Sequence, residues 1–331
     1  MNASKTETLA PPPGVVGSLR AGFDTIASHI TAILLPLFLD LLLWLGPRLS
    51  LERLFQPVLS DFQRLAGGSG VSAADVNNWV EVYQTGLHEL NLLTILRTFP
   101  IGISSLMAGT QPAETPFGAP MIMQVDSFID MFGWAALLIL LGWVGGALYF
   151  GWVASLVANG VPAEPAHNGG PLLQSVLLSI LWMVIFIALG TPILLMVYVL
   201  FSINPALGQG MMLFLGVLSM WLVVPFFFSP LGIFVRQQNV LHSIMNGLQL
   251  ARFTLPSSSL FVLSVLLISI GLNFVWSIPP AGSWMSLVGI LGHAFITTAL
   301  LAASFIYYRD MTAWLQTVME RIKASAAAPQ A

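Results

Sequence analysis

Six apolar runs leave this chain few folds to choose from: Ile30–Gly46, Phe128–Val157, Leu172–Phe201, Met211–Val235, Leu260–Ile278 and Trp284–Tyr308. A helix of roughly 20 apolar residues crosses a hydrocarbon core about 30 Å thick. Within lipid every backbone N–H and C=O needs a partner from its own segment, and a helix supplies it. The composition points the same way. Only 8% of the residues are charged and 56% are hydrophobic, against about 25% charged in an average soluble domain. The expected fold is therefore all-α: a polytopic integral membrane helical bundle of about six transmembrane helices.

The runs differ in length. The first, at about 17 residues, is short for a span, whereas the second and third, at about 30, have to tilt, kink or protrude. Pro192 in the third and Pro225 and Pro230 in the fourth mark kink sites, because proline removes a backbone donor. The resulting division has a tail over 1–13, an amphipathic helix over 14–29, and spans over 30–46, 128–157, 172–201, 211–235, 260–278 and 284–308. Cytoplasmic connections occupy 158–171 and 236–259, and an amphipathic helix over 309–323 precedes a tail over 324–331. No cleavable leader is expected, since a 29-residue lead with Lys5, Arg20 and Pro11-Pro12-Pro13 precedes the first run; an uncleaved signal-anchor fits better.

Basic residues set the orientation. Lys5, Arg20, Arg236, Arg252, Arg309, Arg321 and Lys323 fall on one side of a six-span arrangement. Arg48, Arg53, Arg64 and Arg97 fall on the other, all within the long segment 47–127, which also carries Glu52, Asp61, Asp75, Glu81, Glu89, Glu114 and Asp126. Long segments translocate largely regardless of charge, so both termini are expected in the cytoplasm of a cell-membrane protein. Aromatic residues at span ends agree: Trp44, Trp134, Tyr198, Trp276 and Trp284 outside, Trp152, Tyr307 and Tyr308 inside. Segment 47–127 reads as a small helical extracytoplasmic cap on the outer leaflet. It holds an amphipathic helix over Asp75–Phe99, preceded by the flexible Gly67-Gly68-Ser69-Gly70, followed by an apolar patch Phe99–Met107 and a turn-rich Gln111–Pro120.

Three cytoplasmic segments alternate with a helical period. Val15, Leu19, Phe23, Ile26 and Ile30 oppose Ser18, Asp24, Thr25 and Ser28. Val240, Leu241, Ile244, Met245, Leu248 and Ala251 oppose Gln238, His242, Asn246 and Gln249. Met311, Trp314, Leu315, Val318 and Ile322 oppose Asp310, Gln316, Glu320 and Lys323. Such helices lie in a membrane interface or tuck against a bundle, and the scarcity of basic residues favours tucking. The first two echo each other, with Ser18 and Gly22, and Ser243 and Gly247, four apart; Ser175 holds the equivalent place before the third span. The echo is what an internal duplication leaves.

An amphipathic helix entered from a kinked span (Pro225, Pro230, then Arg236–Arg252), two further spans and the run Tyr307-Tyr308-Arg309-Asp310 resemble the membrane region of some bacterial glycerophosphodiester phosphodiesterases. They equally resemble stand-alone six-span bacterial proteins of uncharacterised function. The likeness covers about the last hundred residues and Leu19–Leu45. The soluble phosphodiesterase domain has no counterpart in these residues, so the resemblance implies a fold and no catalytic residue.

Ionisable groups inside spans are the first functional suspects, because burying one costs about 2.5–3.5 kcal/mol even on the lenient insertion scale. Asp40 lies about 9 Å below the outer end of the first run, one turn after Pro36. It reads either as a proton or cation site, or as an acceptor for a polar group on a neighbouring span or the outer cap. His293, flanked by Gly289 and Gly292, reads as an interhelical hydrogen-bonding group or as Asp40's partner in a proton relay. Asn273 could join either. Gly142 and Gly146, with Ala147, Gly151 and Ser155, space small residues for close helix packing. The five histidines are scattered without metal spacing, cysteine is absent, and no nucleophile elbow or phosphate loop appears; no metal, cofactor or catalytic residue is expected. A net charge of −3 gives no reason to expect nucleic acid. The expected partners are membrane lipids, and a protein at the outer patch 99–107 or at the cytoplasmic amphipathic helices. The leading expectation is a non-enzymatic subunit, scaffold or envelope-organising protein; the alternative is a small-solute or lipid transporter using Asp40 and His293.

Overall fold

A computed structural model describes residues 11–67, 72–109, 114–157 and 169–327. The expected tail up to residue 10, Gly68-Ser69-Gly70, the start of the connector at 111–113, the loop 158–168 with His167, and residues 328–331 lie outside the described residues. The structure is 81% helical, which settles the all-α class.

Helix α1 (Val15–Ser28) ends at His29. A 3-10 turn (Ile30–Ile33) then leads into α2 (Leu34–Leu45). Pro36 sits in the first turn of α2, where a missing N–H interrupts no helical bond. Strand β1 (Arg48–Ser50) pairs in parallel with β2 (Ile122–Gln124), Leu49 opposite Met123. Between the strands come α3 (Glu52–Gly67) and α4 (Ala73–Glu89), then 3-10 turns at Leu92–Leu96 and Met107–Gly109. The expected helix over Asp75–Phe99 is therefore shorter, ending at Glu89 ahead of the turn Leu92–Leu96, and α3, which was not expected, pairs with α4 as an α-hairpin. Ser72 opens α4 by accepting from the Asp75 amide at 3.2 Å, and the chain leaves the helix at Leu90, in extended conformation.

Helix α5 (Phe128–Val157) keeps its expected bounds. The third run comprises α6 (Gly170–Ile185), a π-turn (Phe186–Gly190) and α7 (Thr191–Ile203). The wide turn falls where Pro192 cannot bond the Ala188 carbonyl. Helix α8 (Pro205–Phe228) starts earlier than Met211, because Asn204 caps it by accepting from the Ala206 amide at 2.8 Å and Pro205 takes the first helical position. It bends by 41° between Ser219 and Trp221, where Pro225 leaves the Trp221 carbonyl without a donor. Then follow α9 (Leu231–Val235), α10 (Val240–Phe253), α11 (Leu255–Trp276) and α12 (Ser286–Ala327). The expected amphipathic segment 309–323 is the continuation of the last run in one helix.

Four helices are long and apolar enough to cross a membrane: α5, the run Gly170–Ile203, α11 and α12. Counting two bent pairs, Val15–Ser28 with Ile30–Leu45 and Pro205–Ser219 with Trp221–Val235, as one span each raises the number to six. The chain is a multi-pass membrane protein by length and composition of its helices.

Contacts divide the chain into two units. The first comprises Met1–Ile30, Phe150–Ile268 and Thr298–Ala331. Its core is aromatic: Tyr307 stacks on Phe261 at 4.1 Å and on Phe228 at 5.9 Å, while Phe150, Phe234 and Phe305 form a second cluster. Tyr307 and Tyr308 are fully buried, so they pack this core rather than facing headgroups as expected. The α1 residues turned inward are Ser18, Gly22 and Ile26. A Cβ on Gly22 would come within 2.5 Å of the Ala303 nitrogen. Likewise α10 buries Ser243 and Gly247, Ser243 Oγ donating to the Ser229 carbonyl at 2.6 Å. The expected faces therefore need correction. Small residues face the protein, Ser18 included, while Leu241, Met245 and Leu248 of α10 are exposed. Gln174 of α6 accepts from the Val240 amide at 3.1 Å, and Arg309 donates to the Val157 carbonyl at 2.6 Å, closing the end of α5.

The second unit comprises Thr31–Tyr149 and Ser269–Thr297. Its core joins Leu39, Leu43 and Trp44 to Leu106, Met107 and Ile290. A second cluster gathers Leu49, Leu51, Leu54, Leu92, Val125 and Leu138. Trp44 is 1% exposed and its indole donates to the Ala281 carbonyl at 2.6 Å, so it too is a core residue and not part of an interfacial belt. Asn91 ties β1 to the 3-10 turn, accepting from the Leu49 and Leu93 amides, each at 3.1 Å.

Candidate functional site

The two ionisable residues singled out in the sequence converge on one loop. Asp40, one turn beyond Pro36 on α2, is fully buried. Its Oδ1 accepts from the Ser105 hydroxyl at 2.5 Å and from the Met107 amide at 3.0 Å. Ser105 Oγ in turn accepts from the Ala108 amide at 3.1 Å. The carboxylate thus closes the start of the 3-10 turn Met107–Gly109, where helical N–H groups have no partner of their own. The other oxygen, Oδ2, is buried without a hydrogen-bond partner among the described residues.

His293 of α12 is 6% exposed and its Nε2 lies 3.4 Å from the Ser104 hydroxyl. Consecutive serines of one loop therefore hold Asp40 and His293, and no hydrogen bond joins the two directly among the described residues. Asn273 sits on an exposed position of α11 and takes no part in these hydrogen bonds.

The glycines explain how an irregular loop reaches a buried carboxylate. A Cβ on Gly142 would meet the Thr98 methyl at 2.5 Å and the Leu96 carbonyl at 2.7 Å. On Gly146 it would meet Gly102 Cα at 2.7 Å and the Ile101 carbonyl at 2.9 Å. These positions lie about 21 and 27 Å along α5 from Phe128 at 1.5 Å per residue. The expected helix-packing glycines of α5 therefore seat a loop and not a second helix. Gly289 and Gly292 instead make room for Trp276 of α11, while Gly151 meets Phe234 at an ordinary 3.9 Å. The apolar patch Phe99–Met107 is turned inward from Ile101 onward, with Ile101, Ser105, Leu106 and Met107 buried and Phe99 exposed.

Ser104, Ser105 and Asn91 escaped the sequence reading. A serine pair inside an apolar stretch was the available signal, since buried hydroxyls require acceptors. Elsewhere, a cavity of about 420 Å³ opens beside α1, lined by Gly14, Gly17, Ser18, Arg309 and Asp310 among others. Its cation is engaged by Asp310 at 2.7 Å and by Val157. Among the described residues no three His, Asp or Glu side chains converge as a metal site would require. No family model, curated protein or solved structure matches the chain.

Proposed function

We propose that this chain is a non-enzymatic subunit or scaffold of a bacterial cell membrane, with six spans, both termini in the cytoplasm and segment 47–127 outside. The carrying observation is the loop Ser104–Met107, which occupies both buried ionisable side chains within the protein: Asp40 with the Ser105 hydroxyl and the Met107 amide, His293 with the Ser104 hydroxyl. Non-helical backbone is tolerated at membrane depth where protein covers it and its polar groups are satisfied. On this reading Leu96–Met107 is a re-entrant segment seated on Gly142 and Gly146, and Asp40 supplies the acceptor that permits its burial. Helix α10, with small residues inward and Leu241, Met245 and Leu248 exposed, has the sidedness of an interfacial helix. The likeness to the membrane region of the phosphodiesterases accords with a structural role. Gentle solubilisation from native membranes tests it: a co-purifying protein is expected, and a lone monomer contradicts it.

A transporter is the second reading, favoured by Asp40 Oδ2, a buried acceptor without a hydrogen-bond partner among the described residues, beside the loop that also meets His293. Proteoliposome flux abolished by Asp40→Asn would support it; flux unchanged in that variant removes Asp40 from any transport step.

A further inference from the structure

We propose that the α3–α4 hairpin binds the surface of the adjoining lipid leaflet through its apolar face. The hairpin has its own small core, Leu59, Ala66, Val76 and Val80, and two unlike sides. On one side a groove of about 290 Å³ is walled by Val58, Leu59, Phe62, Trp79, Val82 and Tyr83. On the other a groove of about 460 Å³ carries Glu52, Gln56, Gln84, Thr85 and His88, with His88 3.9 Å from Glu52. Among the described residues nothing covers the apolar side: Leu65 is 71% exposed, and Trp79 and Val82 are 67% each.

Continuity identifies the occupant. Phe55, Val58, Phe62 and Leu65 follow one another on a single face of α3. The stripe begins where Phe55 meets Phe128 edge-on at 6.0 Å. Phe128 is the first residue of α5, one of the spanning helices, and Phe128, Ile129 and Phe132 are themselves exposed. The apolar surface that lipid has to cover on α5 therefore runs without interruption onto α3. Trp79 and Tyr83 are the aromatic types that favour the membrane–water interface. Charge argues for a neutral leaflet: Glu52, Asp61, Asp75 and Glu81 outnumber Arg53 and Arg64 on the hairpin, so attraction to anionic headgroups contributes nothing.

The inference requires only that the spans occupy a bilayer and stands apart from the scaffold reading. The full chain, which has no cysteine, is labelled with an environment-sensitive fluorophore at Leu65→Cys, Val82→Cys or, on the opposite side of α4, Asn77→Cys. Each is reconstituted in phosphatidylcholine vesicles. The expected result is several-fold stronger quenching by nitroxide-bearing lipid at 65 and 82 than at 77, with iodide in water giving the reverse order and added anionic lipid leaving both unchanged. Val82→Asp in the Leu65→Cys background should return that label to water. Equal quenching at all three positions overturns the proposal. So do labels at 65 and 82 shielded from both quenchers together with cross-linking of Leu65→Cys between two copies, which would make a second chain the occupant.

Discussion

At the scale of single residues, Asp40 and the loop it binds form the most testable unit. Removing one member of a buried hydrogen-bonded group leaves the other desolvated and unpaired, at about 1–3 kcal/mol per orphaned group. Asp40→Ala orphans both the Ser105 hydroxyl and the Met107 amide, so it should destabilise the chain by about 2–6 kcal/mol. Asp40→Asn keeps an acceptor in place and should cost about 1 kcal/mol. Reversible unfolding in mixed micelles checks both values, and a double-mutant cycle with Ser105→Ala should return a coupling of about 0.5–3 kcal/mol. Equal, negligible losses in the two Asp40 variants would mean the carboxylate is not the clasp. The sequence made Asp40 conspicuous because hydrocarbon neighbours surround it on Leu37–Trp44. Its partners were less visible, since Ser105 lies 65 positions away and nothing local marks a loop that returns to a span.

At the scale of elements, the two inward-facing serine–glycine stripes show why helical period alone misjudges a packing face. Large apolar residues on α1 and α10 suggested the buried side, yet Gly22 lies close against α12 and Gly247 against the end of α8, where an added Cβ would be 3.3 Å from the Pro225 carbonyl. In a lipid setting large apolar residues gain little by facing protein, and small residues gain close approach. Glycines on one helix should therefore respond in opposite ways. Gly17 has nothing within 4 Å of a Cβ position, so Gly17→Ala should stabilise by up to about 1 kcal/mol through helix propensity. Gly22→Ala should destabilise by about 1–3 kcal/mol, because Ala303 and the Ala299 carbonyl leave it no room. Unfolding midpoints of the two variants in one detergent decide this; the same sign for both would contradict the packing. Helix α3 was illegible for another reason. Pro57 stands inside it, and charged residues (Glu52, Arg53, Asp61, Arg64) interrupt its apolar stripe.

At the scale of the whole molecule, the long apolar runs were the legible part: α5 has its expected bounds, while α11 begins five residues ahead of the expected 260. Span ends depended on contacts that no hydropathy window contains: Asn204 and Pro205 draw α8 forward, and Tyr307 and Tyr308 are core residues where an interfacial belt was expected. The central claim is the passage of the short run Ile30–Leu45 and the bent run Pro205–Val235 through the membrane, which separates six spans from four. Labelling single cysteines with a membrane-impermeant maleimide on intact cells tests it most directly, at the exposed positions Ser28, Gln63, Asn204, His242 and Thr317. Six spans with cytoplasmic termini predict labelling at 63 and 204 from outside, and at 28, 242 and 317 only after permeabilisation. Labelling of 28 and 63 from the same side, or of 204 and 242 from the same side, would contradict the account.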